Sequence, residues 1–129
     1  MNSILTSVKQ LLGLSEAYTD YDNDIVLIIN AAFMSLTQLG VGPEAGFSIT
    51  DNKALWTDFL KTSIKLEGVK LYVSLKTRLS FDPPSSSFVL AALENQVKEL
   101  EFRINILVDN DEYISELKLA ELELEAEVV

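Results

Sequence analysis

A chain of 129 residues with 48% hydrophobic content has room for one domain with a core of its own. It contains neither cysteine nor histidine, which excludes disulfides, thiolate chemistry, zinc–sulfur sites and any Ser-His-Asp arrangement, and so weighs against catalysis. The formal net charge of −10 is unevenly placed: residues 109–129 hold eight acids against Lys118 alone, a net of −7, leaving −3 from twelve acids and nine bases in residues 1–108, a balance that argues against sequence-specific DNA binding.

In MNSILTSVKQLLGL, the residues Ile4, Leu5, Val8, Leu11 and Leu12 recur at helical spacing, with Asn2 or Ser3 to cap the start and Gly13 to close the end. Lys9 is its only cation and polar residues interrupt the apolar ones, so the segment reads as mature structure rather than a targeting signal. No window approaches the about 20 apolar residues of a membrane span, and no membrane partner is expected. After the polar stretch SEAYTDYDND, a second helix begins near Asp24, places Ile25, Ile28, Ile29, Ala32, Leu36 and Leu39 on one face, and ends at Gly40. Asp22 and Asp24 fall at its positive end, as capping and dipole-complementing acids. GVGPEAGFSIT is a loop by its glycine and proline content, and Thr50 or Asp51 then caps a short helix carrying Leu55, Trp56, Phe59 and Leu60.

From Val69 to Leu79 the apolar residues cover more than one stripe, leaving Lys70, Ser74 and Thr77 as the polar edge, so this helix is expected to be contacted from more than one side. Gly68 marks a bend or an interruption before it. RLSFDPPSSS stops the helix: Pro83 and Pro84 donate no backbone N–H, and Asp82 is pushed from helical angles. Ser85 to Ser87 then offer caps for the longest helix, in which Leu90, Leu93, Val97, Leu100, Ile104 and Leu107 form a heptad seam. The prolines thus set the corner of an αα-hairpin. The seam reads as intrachain packing in preference to a self-associating coiled coil, and Phe88, Phe102 and Ile106 lie off it, leaving surface for another contact.

The expectation is therefore all-α: a small bundle of about five helices, the long C-terminal one in an αα-hairpin, spanning residues 1–108, with an acidic C-terminal extension at 109–129. No cofactor or metal is expected. DYDND and DNDEY each resemble the start of a calcium loop, but Ile25 and Ile114 occupy the glycine position, and Ala31 and Ala120 the position of the bidentate glutamate. GVGPEAG lacks the lysine of a phosphate-binding loop. Trp56, Phe59 and Tyr72 read as core rather than as a ligand pocket. Lys70, Lys76 and Arg78 form a basic patch that either faces solvent or meets acids of a neighbouring subunit.

With the hairpin placed, the pieces ILTSVKQLLGL, IVLIINAAFMSLTQLGVGP, WTDFL, VKLYVSLKTRLSFDPPSSS and LEFRIN, spanning about residues 4 to 106, together resemble the head–tail connector (adaptor) proteins of long-tailed bacteriophages. The resemblance implies a structural virion protein and no enzyme. Its subunits would form a ring, commonly a dodecamer, docked beneath the portal protein and receiving the stopper or tail-completion protein. Genome DNA would pass through without specific binding, and assembly would take place in the host cytoplasm. Lys70, Lys76, Arg78, Phe88 and Phe102 are the candidate inter-subunit residues. The alternative is a soluble helical binding module or regulator acting through its acidic tail.

In YISELKLAELELEAEVV two periodicities compete. As a helix, Ile114, Leu117, Glu121 and Leu124 share a face; as a strand, Leu122, Leu124, Ala126 and Val128 alternate with glutamates, although intrinsic propensity favours helix. The tail is expected to be mobile in the free subunit and ordered on assembly, with Ile114, Leu117, Leu119, Leu122, Leu124 and Val128 as candidate portal-binding residues.

Overall fold

The helical periodicities of the sequence are realised as five helices: α1 (Ile4–Leu11), α2 (Asp22–Gln38), α3 (Trp56–Phe59), α4 (Lys65–Phe81) and α5 (Ser87–Val128). The computed structural model describes the backbone of residues 3–60 and 65–128, and the side chains of these except at 65, 66, 109–118 and 125–128. Among the described residues the only β pairing is an isolated antiparallel bridge between Ser3 and Leu55. The all-α expectation holds.

Ser3 caps α1 as expected, its hydroxyl oxygen accepting from the Thr6 N–H at 3.3 Å; Asn2 lies outside the described residues. The same hydroxyl donates to the Asn52 carbonyl at 2.7 Å, and the Ile4 N–H donates to the Ala54 carbonyl at 3.0 Å, which fastens α1 to the segment before α3. Ile4, Leu5 and Val8 point into the core.

Lys9 lies on the same helix, yet its side chain is only 3% exposed. Its ammonium has three donors and three acceptors: the Asp22 carboxylate at 2.8 Å and the carbonyls of Glu16 and Tyr18 at 3.1 and 2.6 Å. Asp22 Oδ1 is buried and receives no other donor, so Lys9 is its compensation. The capping role expected of Asp22 is thereby corrected. It stands inside the first turn of α2, where with Asp24 it complements the helix dipole, while Tyr21 occupies the cap position without a side-chain bond.

α2 buries Ile25, Ile29, Ala32, Phe33 and Leu36. It ends in a Schellman motif: Val41 N–H donates to the Leu36 carbonyl at 2.9 Å and Gly40, at φ +85°, to that of Thr37 at 3.0 Å. The following loop supplies core residues of its own, Val41 and Ile49. Asn30 holds Ile49 by both backbone groups, its amide nitrogen donating to the carbonyl at 3.0 Å and its amide oxygen accepting from the N–H at 2.7 Å. α3 starts later than expected. Its cap is Leu55, with Asp58 accepting from the Leu55 N–H at 2.8 Å, and Asp51 instead accepts from the Lys53 N–H at 2.9 Å in a local turn. Trp56 and Phe59 join Phe33 and Phe47 in an aromatic cluster with ring centroids 4.7 to 6.2 Å apart. Trp56 and Phe59 are core, as expected.

α4 passes through Gly68 without interruption and is packed from several sides, by α1, α2 and α5. Its expected polar edge is corrected: Ser74 and Thr77 are buried beside Val69, Tyr72 and Val73. Their hydroxyls donate to their own helix, to the Lys70 carbonyl at 2.8 Å and the Val73 carbonyl at 2.7 Å, and so enter the core without stranded donors. α4 stops at Phe81, and after the prolines Ser86 caps α5 by accepting from the Val89 N–H at 3.5 Å. α5 then packs back along α4, completing the hairpin. The buried residues of α5 are Val97, Ile104 and Val108, with Leu90, Leu93 and Leu100 half-buried and Leu107 turned outward. The strict heptad fails at its last member because a straight helix turns every 3.6 residues, so the packed stripe drifts from Leu107 to Val108. A Cβ at Gly40 would stand 3.2 Å from Val108, which brings the end of α2 close to α5.

Beyond Val108 the same helix continues through the acidic extension; the helical alternative is taken and the strand alternation is not. At about 1.5 Å per residue, α5 is roughly 63 Å long.

The hairpin is clamped at Tyr72, whose hydroxyl donates to Glu101 on α5 at 3.0 Å. Burial, then the Glu101 carboxylate, pushes the phenol up to about 12. Because the folded value lies above the unfolded one near 10, stability is retained below pH 10 and falls as pH rises through 10 to 12, where the unfolded chain releases a proton that the folded chain holds. Urea melts across this range should show the decline in the parent and a smaller one in Tyr72→Phe. At neutral pH that variant should lose about 1 kcal/mol. For the ion pair, Lys9→Ala should cost about 2–3 kcal/mol by leaving Asp22 without its partner, and Lys9→Met with Asp22→Leu should cost less than the single change. A double mutant no more stable than Lys9→Ala would show that a stranded Asp22 carboxylate is not what makes the single change costly.

Candidate interaction surface

Several polar side chains in and near the core are engaged in structure. Asp22 of the DYDND run is held by Lys9, and the Ser74 and Thr77 hydroxyls are held by their own helix. Among the described residues no group of three or more acidic side chains is placed to hold a metal ion. Two surface grooves border α2. One, of about 470 Å³, runs between α2 and the 45–48 loop, lined by Asn30, Met34, Thr37 and Phe47; the other, of about 280 Å³, lies between α2 and α4, lined by Leu27, Ile28, Ala31 and Lys76. Asn30 is committed to Ile49, so the first groove keeps little free polar chemistry.

The sequence-derived residues fall into separate places. Lys70 pairs with Glu67 one turn earlier at 3.5 Å. Lys76 stands 5.9 Å from the Tyr72 ring centroid and edges the groove beside α2. Arg78 is exposed near the end of α4. Each of these three cations thus has its own surroundings on α4. Phe88 and Phe102 on α5 are 88% and 66% exposed, as expected of residues off the seam, and Ile106 joins them. In the acidic extension Leu119, Leu122 and Leu124 are exposed, while the side chains of Ile114, Leu117 and Val128 lie outside the described residues.

Sequence reasoning missed the outer face of α2, where Leu27 and Met34 are 69% and 65% exposed. The signal was available: Leu27, Ala31 and Met34 repeat at four and three residues, a second stripe opposite Ile25, Ile29, Ala32 and Leu36. It was hidden because α2 is apolar nearly all round. What the surface offers is thus apolar contact, suited to protein partners. Among the described residues no helix is long and apolar enough to cross a membrane.

Comparison with known proteins agrees with a contact role. Residues 4–111 match the family model described as phage connector protein, from the start of α1 to just past the last buried residue of α5. No curated protein and no solved structure matches the chain. The match covers most of the 129 residues, and the chain belongs to the phage connector protein family, a structural family of the virion.

Proposed function

We propose that this chain is the adaptor subunit of a head–tail connector: a homo-oligomeric ring, of the dodecameric kind, placed below the portal protein, receiving the stopper or tail-completion protein and surrounding the path of the genome. The observation that carries this reading is the row of large apolar side chains left uncovered on α5, Phe88, Phe102 and Ile106. Such a surface is made for assembly. The acidic balance supports DNA passage without gripping, since a channel flanked by carboxylates repels phosphate. Within the ring, Phe88 and Phe102 are the inter-subunit contacts best supported by exposure, with Arg78 and Lys76 available to neighbouring acids. Residues 1–108 form the connector domain, and residues 109–129 gain their partner on assembly, with Leu119, Leu122 and Leu124 offered to the portal together with Ile114, Leu117 and Val128. Subunits would assemble in the host cytoplasm and remain in the virion.

Sedimentation with and without the portal tests the reading. Dilute subunits should be monomeric or weakly associated and should form a closed ring when concentrated or offered the portal; a tight dimer indifferent to the portal would overturn it. Deleting everything after Val108 should leave the melting behaviour nearly intact and weaken portal attachment. If the truncated chain unfolds, the tail belongs to the core; if it binds the portal as the parent does, docking lies on the helical body.

A further inference from the structure

Besides the two grooves already described, two further hollows meet at the corner where Tyr21, just before α2, touches Phe81, the last residue of α4. One, of about 360 Å³, is lined by Leu12, Leu14 and Asp82, the other, of about 270 Å³, by Asp24, Ile28 and Ser80, and the rings of Tyr21 and Phe81 form a wall common to both. These rings meet edge to face with centroids 5.3 Å apart, and Tyr18 extends the wall at 5.8 Å from Tyr21. Tyr18 and Tyr21 are 43% and 46% exposed, so the wall is open to a partner. Each hollow thus repeats one composition: aliphatic carbon, a shared aromatic face and a single carboxylate.

Those two carboxylates are unspent. Among the described residues neither Asp24 nor Asp82 has an ion pair or a side-chain hydrogen bond. From Gln10 to Asn52 the chain has no lysine or arginine, and Lys9, just before that stretch, is buried on Asp22. Arg78, one turn before Asp82, makes no ion pair with it, and Lys76 edges the neighbouring groove and lines neither hollow. We propose that this corner receives an arginine-bearing segment of a partner protein in the virion, with an arginine side chain entering each hollow. A planar guanidinium stacks on a ring and forks onto a carboxylate, while its apolar stem lies along leucine or isoleucine carbon, which is the set of groups each hollow offers. Near the lower end of the about 300–1,000 Å³ of ligand pockets, each hollow suits a side chain and not a helix. A second copy of this chain is the poorer occupant, since it brings a net charge of −10 and its Arg103 is already paired with Glu99.

The partner's identity rests on the head–tail reading above; the site itself does not. A capped arginine–glycine–glycine–arginine peptide, titrated into the dilute full-length chain and followed by the ring proton signals of Tyr18, Tyr21 and Phe81, should give saturable shifts that weaken with added salt. The same peptide with citrulline for arginine keeps the shape, loses the charge, and should bind about tenfold more weakly. Asp24→Asn, Asp82→Asn and Tyr21→Leu, each with parent-like melting, should each weaken the arginine peptide severalfold, whereas Glu44→Gln, at an exposed acid lining neither hollow, should not. Equal binding of the citrulline peptide, or an equal loss in Glu44→Gln, would reduce the effect to apolar contact or to bulk charge and overturn the proposal. Movement of the same ring signals with the concentration of the chain alone would make a second copy the occupant and overturn it as well. In assembly, Asp24→Arg with Asp82→Arg should abolish attachment to the portal or to the tail-completion protein. A variant that attaches to both as the parent does would overturn the assignment to a virion partner; a parent that attaches to neither would sink the head–tail reading and the partner's identity with it, while the peptide titration still decides the site.

Discussion

The subunit depends on one packing constraint: α4 is apolar on more than one side, and a helix of that kind must be enclosed. Val69, Tyr72, Val73 and Thr77 are fully buried, and no single neighbour covers so wide an arc. α2 and α1 close part of it and α5 closes the rest, which is why the chain must turn back sharply after Phe81. Two consecutive prolines provide that turn by denying the helix its next hydrogen bonds. The enclosed arc includes two hydroxyl residues, tolerated because each returns its proton to a carbonyl of its own helix.

Around this helix the N-terminal half adds specific polar ties to its apolar packing. Lys9 gathers the α1–α2 connection onto itself through three acceptors, and Asn30 acts toward Ile49 as a neighbouring strand would, giving and taking one hydrogen bond. These ties let a long irregular segment deliver Val41, Ile49 and Phe47 to the core. At Gly42 the ring of Phe59 occupies the space that a Cβ would need, so the aromatic cluster closes over bare backbone. An irregular loop is ordered here because its backbone groups and apolar side chains both have assigned places.

Much of this was legible in the sequence because it is periodic. The helices, the corner at Pro83 and Pro84, the caps Ser3 and Ser86 and the outward placement of Phe88 and Phe102 follow from spacing and turn chemistry. What escaped were outcomes decided by partners distant in sequence. Asp22 looks like a cap until Lys9, thirteen residues earlier, is folded against it. Ser74 and Thr77 look like a solvent edge until α4 is enclosed. One local contest escaped as well: Asp58 reaches back three residues to Leu55 and sets the start of α3, where Thr50 and Asp51 had the better intrinsic caps. The candidate surface was half legible: polar neighbours set off the α5 stripe, whereas the α2 stripe merged with the core stripe on the same helix.

The unbroken course of α5 through the acidic extension gives the subunit the mechanics of a lever. Val108 is the last buried residue described on it, and about 30 Å of helix follows to Val128, at 1.5 Å per residue. Tilting such a rod by about 5° at Val108 moves its tip by roughly 3 Å, enough to shift one side chain out of its contact. The stiffness of the α4–α5 clamp at Tyr72 and Glu101 therefore sets the positional tolerance of a surface far from it, and loosening that clamp would blur the tip's position without touching a single residue there.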